Sequence, residues 1–265
     1  MKPVTITTLR ELKQAGQKIT CLTAYDYSFA SLLDRAGLDA IMVGDSLGMT
    51  MQGHASTLPV TIDDVAYHCA CVARGVTRAL IIGDMPFGSY QVSPEQAFES
   101  AAMLMQSGAQ MIKLEGGAPM VATVRFLVER GIPVCAHLGL TPQSVHQLGG
   151  YRVQGREADA AQRLRADAKQ LQEVGASLLV LEAVPAALAK AASAELVIPT
   201  IGIGAGVDTD GQVLVLQDML GLYPRPSPKF SRNFMQGAES IEVAVKTYVE
   251  AVRGKTFPGP EHSFS

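Results

Sequence analysis

The sequence predicts an α/β protein whose residues 1–265 form a single (β/α)8 TIM-barrel domain. Three observations predict it. The chain has 265 residues, close to what one such barrel commonly needs. Apolar runs and amphipathic runs alternate along its whole length, giving roughly eight βα units. The apolar runs are nearly continuous rather than alternating, as parallel strands covered on both faces require. A doubly wound open sheet is the competing architecture. The Gly-rich fingerprint expected after its first strand is missing.

The elements follow in order. Lys18–Ala24 reads as a strand, and Ser28–Ala36 as a helix stopped by Gly37. Ala40–Val43 is the next strand, ended by Gly44-Asp45. Ile62–Arg74 is helical, with Asp63 and Asp64 where the helix dipole favours anions. Ala79–Ile82 is a strand followed by Gly83-Asp84. Pro94–Ser107 is a helix with Ser93 as N-cap and Pro94 in its first turn. Met111–Leu114 and Pro133–Ala136 are strands flanking the helix Met120–Arg130. Asp159–Val174 is a long helix, Ser177–Leu181 a strand and Pro185–Ala194 a helix. Pro199–Ile203 and Gln212–Leu216 supply the last two strands, and Ser240–Arg253 the final helix.

Composition excludes several classes. Lys and Arg total 22 against 25 Asp and Glu, a net charge of −3, so the basic footprint of a nucleic-acid binder is absent. No apolar run reaches the roughly 18 residues of a membrane span, and no secretory signal is visible, so a cytoplasmic protein is expected. Cys21, Cys69, Cys71 and Cys135 lack zinc-site spacing and read as idle or buried thiols. The apolar share of 48% allows subunit interfaces as well as a core.

The chemistry sits at the ends of the apolar runs. Five of them close on ionisable residues: Asp45, Asp84, Lys113 with Glu115, His137 and Glu182. In a barrel every strand C-terminus faces one rim, where active sites are built. So many acids in a small space need neutralising. Oxygen donors without a Cys/His cluster favour Mg²⁺ or Mn²⁺. Asp45 and Asp84, from matching Gly-Asp endings, are the expected ligands, although either alone could merely cap a helix. Glu115 is a candidate third ligand, directly or through water. Lys113 and Glu115 share a strand face. Lys113 could bind a substrate carboxylate, form a Schiff base, or simply pair with Glu115. His137 is a candidate substrate contact. Glu182 follows an apolar stretch that could desolvate it into a general base. The run Gly202-Ile203-Gly204-Ala205-Gly206 could hold phosphate or make a tight turn. His54, His68, His146 and His262 read as surface or structural residues.

Longer segments carry a resemblance. Thr23-Ala24-Tyr25-Asp26, Val43-Gly44-Asp45-Ser46-Leu47-Gly48 and Ser56-Thr57-Leu58-Pro59-Val60-Thr61 resemble the ketopantoate hydroxymethyltransferase family. So do Met111-Ile112-Lys113-Leu114-Glu115-Gly116-Gly117 and Ala136-His137-Leu138-Gly139-Leu140-Thr141-Pro142-Gln143, with further matches at Gly150–Gly155, Gly202–Gly206 and Pro258-Gly259. The resemblance implies a barrel of the phosphoenolpyruvate/pyruvate type, dependent on Mg²⁺ and often decameric. It implies transfer of a hydroxymethyl group from 5,10-methylenetetrahydrofolate to 3-methyl-2-oxobutanoate through a metal-stabilised enolate. It also implies metal binding by Asp45, Asp84 and Glu115, substrate contacts from Ser46 and Lys113, and Glu182 as base. Ala55 stands where the family commonly has Asp. The rival readings are a metal-dependent C–C lyase of the same barrel group and a non-catalytic anion-binding barrel.

Overall fold

The structure is a computed structural model that describes residues 2–224 and 226–265. The chain order is α1 (Ile6–Gln14), β1 (Ile19–Thr23), α2 (Tyr27–Arg35), β2 (Ala40–Val43), α3 (Leu47–Thr50), α4 (Ile62–Gly75) and β3 (Leu80–Asp84). It continues with α5 (Pro94–Gln106), β4 (Met111–Glu115), α6 (Val121–Val128), β5 (Val134–Gly139), α7 (Ala158–Glu173) and β6 (Leu178–Glu182). It ends with α8 (Ala186–Glu195), β7 (Thr200–Ile203), β8 (Gly211–Leu214), α9 (Leu216–Met219) and α10 (Ile241–Arg253). The strands pair in sequence order, all parallel, and β8 returns to β1 to close a barrel.

Alternation along each strand divides the core in two. Leu22, Ile41, Ile81, Ile112, Leu114, Ala136 and Leu179 point outward and pack with the helices. Ile19, Cys21, Met42, Ile82, Met111, Cys135, Leu178 and Val180 form a second cluster inside the barrel. Apolar side chains on both faces explain why the strands lack a period of two in the sequence. The inner cluster also takes in Val4 and Leu9, so α1 plugs the end where the strands begin. That helix buries only Leu9, and its largely polar composition hides it from a search for apolar runs.

Local signals set the helix starts. Thr61 and Asp64 form a capping box on α4, and Ser93 accepts from the Gln96 N–H with Pro94 next to it on α5. The β1–β8 seam is braced from outside by α10. There Tyr248 Oη lies 2.9 Å from the Cys21 carbonyl and 3.1 Å from that of Gln212. Some boundaries differ from the sequence expectation. Strands β3, β4 and β5 run on through Asp84, Glu115 and His137, because those polar residues still pair with neighbouring strands. Leu216 opens α9 rather than ending β8, its N–H donating to Thr23 Oγ1 at 3.0 Å.

Candidate active site

The inward-facing parity carries polar residues once each strand passes its apolar half. On β4, Met111 is followed inward by Lys113 and Glu115; on β5, Cys135 by His137; on β6, Val180 by Glu182. Parallel register sets these side by side, with Asp84 opposite Lys113 and Glu115 opposite His137. All line one cavity of about 590 Å³ at the C-terminal mouth of the barrel, together with Asp45 and Ser46. The sequence-predicted residues are therefore gathered in one place.

The contacts form a chain of alternating charge. Lys113 Nζ is 2.7 Å from Asp84 Oδ1 and 3.6 Å from Glu115 Oε1. His137 Nδ1 is 3.3 Å from Glu115 Oε1, and its Nε2 is 3.2 Å from Glu182 Oε2. The Asp45 backbone N–H donates to Asp84 Oδ2 at 3.1 Å, which brings the two acidic residues together. Gly44 leaves room for the Ser46 hydroxyl, since a Cβ there would stand 3.1 Å from Ser46 Oγ, while its 3.7 Å distance to Asp84 Oδ2 is ordinary contact. Gly83 has a different reason. A Cβ there would press at 3.0 Å on Ala109, in the outer helical layer. Ser46 Oγ shares a 2.8 Å hydrogen bond with Tyr25 Oη, whose burial pushes its pKa up to about 12 and keeps it protonated.

Burial in this mouth shifts the acids and bases in opposite ways. Desolvation and then the neighbouring Asp84 charge hold the Asp45 carboxyl well above its usual range. Desolvation also raises Asp84. For Lys113, burial favours the neutral amine, but Asp84, Glu115 and Asp45 outweigh it and raise its pKa well above the ordinary value. For Glu115, burial acts upward, and Lys113 and His137 bring the net shift down. For His137, burial and Lys113 act downward; hydrogen bonds to Glu115 and Glu182 win, and the pKa rises to about 9. His137 is thus an imidazolium at neutral pH.

Three functional positions escaped the sequence reading. Gln143, just after β5, is the hub of the acidic side. Its Nε2 donates to Asp45 Oδ2 and to the Met85 carbonyl, both at 3.0 Å, and its backbone N–H donates to Glu115 Oε2 at 3.1 Å. Tyr90 donates to Gln143 Oε1 at 2.7 Å and accepts from the Glu115 N–H at 3.1 Å. Asp218, on α9, is buried in the cavity wall. None of the three carries a motif of its own, although Gln143 lies inside a quoted segment. The glycine run after β7 makes room for aromatic rings. A Cβ on Gly204 would come within 2.9 Å of Phe230 and 3.0 Å of Phe264. Ala55 is exposed and does not line the cavity.

The donor set suits a hard divalent cation. Asp45, Asp84, Glu115 and Glu182 converge on two cationic partners, Lys113 and His137, in the same cavity. Burial is the first cause that raises Asp45 and Asp84, followed by a neighbouring acid, Asp84 for Asp45 and Glu115 for Asp84, and a bound cation would relieve both. Among the described residues no three His, Cys, Asp or Glu side chains are grouped as a closed metal cage. Mg²⁺ does not require one, since it keeps waters and typically takes one or two carboxylates plus substrate oxygens. The adjacent pair Asp45 and Asp84 fits that pattern. Glu115 is already engaged by Gln143, Lys113 and His137 and stands behind the pair.

Among the described residues, no helix is long and apolar enough to cross a membrane. A family model described as ketopantoate hydroxymethyltransferase matches residues 3–260. A 3-methyl-2-oxobutanoate hydroxymethyltransferase from Methylobacillus flagellatus is 65% identical over 257 residues, covering 97% of this chain and 98% of that protein. One from Thiobacillus denitrificans is 64% identical over 262 residues, covering 99% and 100%. Among solved structures, 2,3-dimethylmalate lyase, described as a PEP mutase/isocitrate lyase superfamily member, superposes with a TM-score of 0.56 at 18% identity, covering 81% of each chain. At that identity the likeness speaks for the barrel fold alone.

Proposed function

The chain belongs to the ketopantoate hydroxymethyltransferase family, and from that premise we propose how its strand-end residues carry out the reaction. The activity is that of a 3-methyl-2-oxobutanoate hydroxymethyltransferase, a step of pantothenate biosynthesis. That identity implies 5,10-methylenetetrahydrofolate as the one-carbon donor.

Asp45 and Asp84 would hold Mg²⁺, with Glu115 behind them. When bound there, the ion supplies Lewis acidity that draws electron density from a 2-oxo group and acidifies the neighbouring C3 hydrogen. Glu182 takes that hydrogen as a proton. It is the most accessible acid of the set, with 14% side-chain exposure against 1–3% for Asp84 and Glu115. His137 Nε2 lies 3.2 Å from Glu182 Oε2, an electrostatic contact that keeps the carboxylate at the cavity while leaving the other oxygen for the proton. Lys113 offsets negative charge growing on the substrate oxygens, and Ser46, oriented by Tyr25, donates to the substrate carboxylate. Carbon 3 then bonds to the one-carbon unit brought by the folate. Water supplies the hydroxyl oxygen, and both carbon–nitrogen bonds to that unit break. The folate leaves as tetrahydrofolate carrying the two hydrogens of the water, while the proton on Glu182 passes to the new hydroxymethyl oxygen.

The observation that carries this reading is the Glu182–His137 contact of 3.2 Å on the same cavity as the Asp84–Lys113 pair at 2.7 Å. The test is exchange of the C3 hydrogen of 3-methyl-2-oxobutanoate in D2O, followed by NMR without folate. Glu182→Gln should retain metal and keto acid and lose exchange. Exchange at the native rate in that variant would assign the base elsewhere.

We read residues 1–265 as one barrel domain, supported by the closure of β8 onto β1. Assembly into a homo-oligomer, up to a decamer, is the family's implication. Sedimentation velocity tests it.

A further inference from the structure

We propose that Asp218 anchors the pterin head of the folate, its carboxylate accepting two parallel hydrogen bonds from the pyrimidine N3–H and 2-amino group. This rests on the transferase reading above and names the residue that selects its co-substrate. Asp218 lies on α9, which follows β8 and is tied to the end of β1 by the Leu216 N–H donating to Thr23 Oγ1. It is therefore at the same mouth as the strand-end acids, but on another segment of the wall.

Five carboxylates line the cavity: Asp45, Asp84, Glu115, Glu182 and Asp218. The first four are engaged by Gln143, Lys113 or His137. Asp218 is 7% exposed, and its Oδ1 has no hydrogen-bond partner among the described residues. A buried carboxylate oxygen without a partner is costly, and such atoms commonly await a ligand or ion. Burial raises the Asp218 pKa to about 6, so the group is chiefly ionised at neutral pH and only accepts.

The two substrates differ in what they could give it. The keto acid carries oxygens and no N–H, so its polar end is repelled by a carboxylate. The pterin's pyrimidine edge carries two adjacent N–H donors and no acceptor between them. A carboxylate offers two acceptors at matching spacing, whereas Asn or Gln would turn a donor toward a donor. The same cavity is also lined by Met49, Tyr151 and Phe230, apolar faces suited to a flat heterocycle. Thr57 Oγ1, also buried and without a hydrogen-bond partner among the described residues, adds a second polar group to the same cavity.

The test compares the native folate with a 2-desamino-2-methyl analogue, which keeps the ring and loses the amino donor. With native enzyme the analogue should show a KM about ten- to a hundredfold higher, as loss of a charge-assisted hydrogen bond implies. Asp218→Asn should raise the KM for the native folate by a similar factor, leave the KM for the keto acid within about twofold, and abolish the difference between the two folates. A native KM for folate in Asp218→Asn would overturn the assignment, as would an analogue penalty that survives the substitution. Should that variant fail to fold, calorimetric binding of tetrahydrofolate and its 2-desamino analogue to native enzyme decides. Equal affinities refute the proposal. The C3 exchange test is run without folate, so the assignment of Glu182 and that of Asp218 fail separately.

Discussion

Replacing Gln143 by leucine removes the hub of the acidic side while nearly preserving side-chain volume. Four side-chain hydrogen bonds are lost: to Asp45 Oδ2 and the Met85 carbonyl at 3.0 Å, and from Tyr90 Oη at 2.7 Å and Gln91 Nε2 at 3.3 Å. A hydrogen bond to a charged group contributes about 1.5–3 kcal/mol, and a stranded buried carbonyl costs about 1–3 kcal/mol. Tyr90 recovers part of its loss through the Glu115 carbonyl at 3.3 Å. The expected destabilisation is about 3–5 kcal/mol, read from urea unfolding. The kinetic effect is larger than the folding effect suggests. Asp45 loses the donor that orients its carboxylate, and misplacing a binding group by about 1 Å costs about a hundredfold. Steady-state assays should show kcat/KM for the keto acid falling by about two orders of magnitude. Gln143→Glu keeps the length but brings another acidic oxygen to the Asp45 carboxylate, and should be no better. A Leu variant with native kcat/KM would refute the idea that Gln143 positions Asp45.

Other expectations follow from the same structure. Chelation by EDTA should abolish turnover and leave the far-UV circular dichroism intact; Mg²⁺ should restore activity and raise Tm, by about 2.7 kcal/mol of stabilisation at a hundredfold excess over Kd, and Asp45→Asn should cancel that rise. Gly139→Ala should lower kcat at least about tenfold, because Gly139 has φ +95° and its new Cβ would meet the Glu182 carbonyl oxygen at 2.2 Å, displacing the strand end that carries the base. Asp34 accepts from the N–H groups of Thr77, Arg78 and Ala79 and from the Thr77 hydroxyl. Burial opposes this ionisation, but the hydrogen bonds prevail and hold its carboxyl below the ordinary 3.8. Its folded pKa is depressed, so its stabilisation is complete above the unfolded value and lost as pH falls through the folded one. Asp34→Asn should cost about 1–3 kcal/mol at neutral pH, and the gap to native should narrow below about pH 4. A gap independent of pH would show that the charge of Asp34 is not what clamps the start of β3.

Much of this molecule is legible in order along the chain. Apolar runs at near-regular spacing prescribe parallel strands under helices, because parallel sheets bury both faces. Asp45, Asp84, Lys113, Glu115, His137 and Glu182 announce themselves by position, since parallel strands in a barrel all end at one rim. What stayed hidden depends on partners distant in sequence. Gln143 is an ordinary amide until the fold sets it against Asp45, 98 residues away, and Met85. The division of β4 into outward Ile112 and Leu114 and inward Lys113 and Glu115 could be read from alternation, but which inward residue meets which is set by strand register, with Asp84 beside Lys113 and Glu115 beside His137. Protonation is likewise a property of the assembled mouth. Burial and the Asp84 charge raise Asp45, whereas Glu115 and Glu182 overcome burial to raise His137, and Lys113 and His137 overcome it to lower Glu115; no window of sequence contains those neighbours. Local sequence determined the elements and the kinds of charge delivered to the rim. The closed barrel decided their distances, and electrostatic energy depends on distance and desolvation rather than on order along the chain.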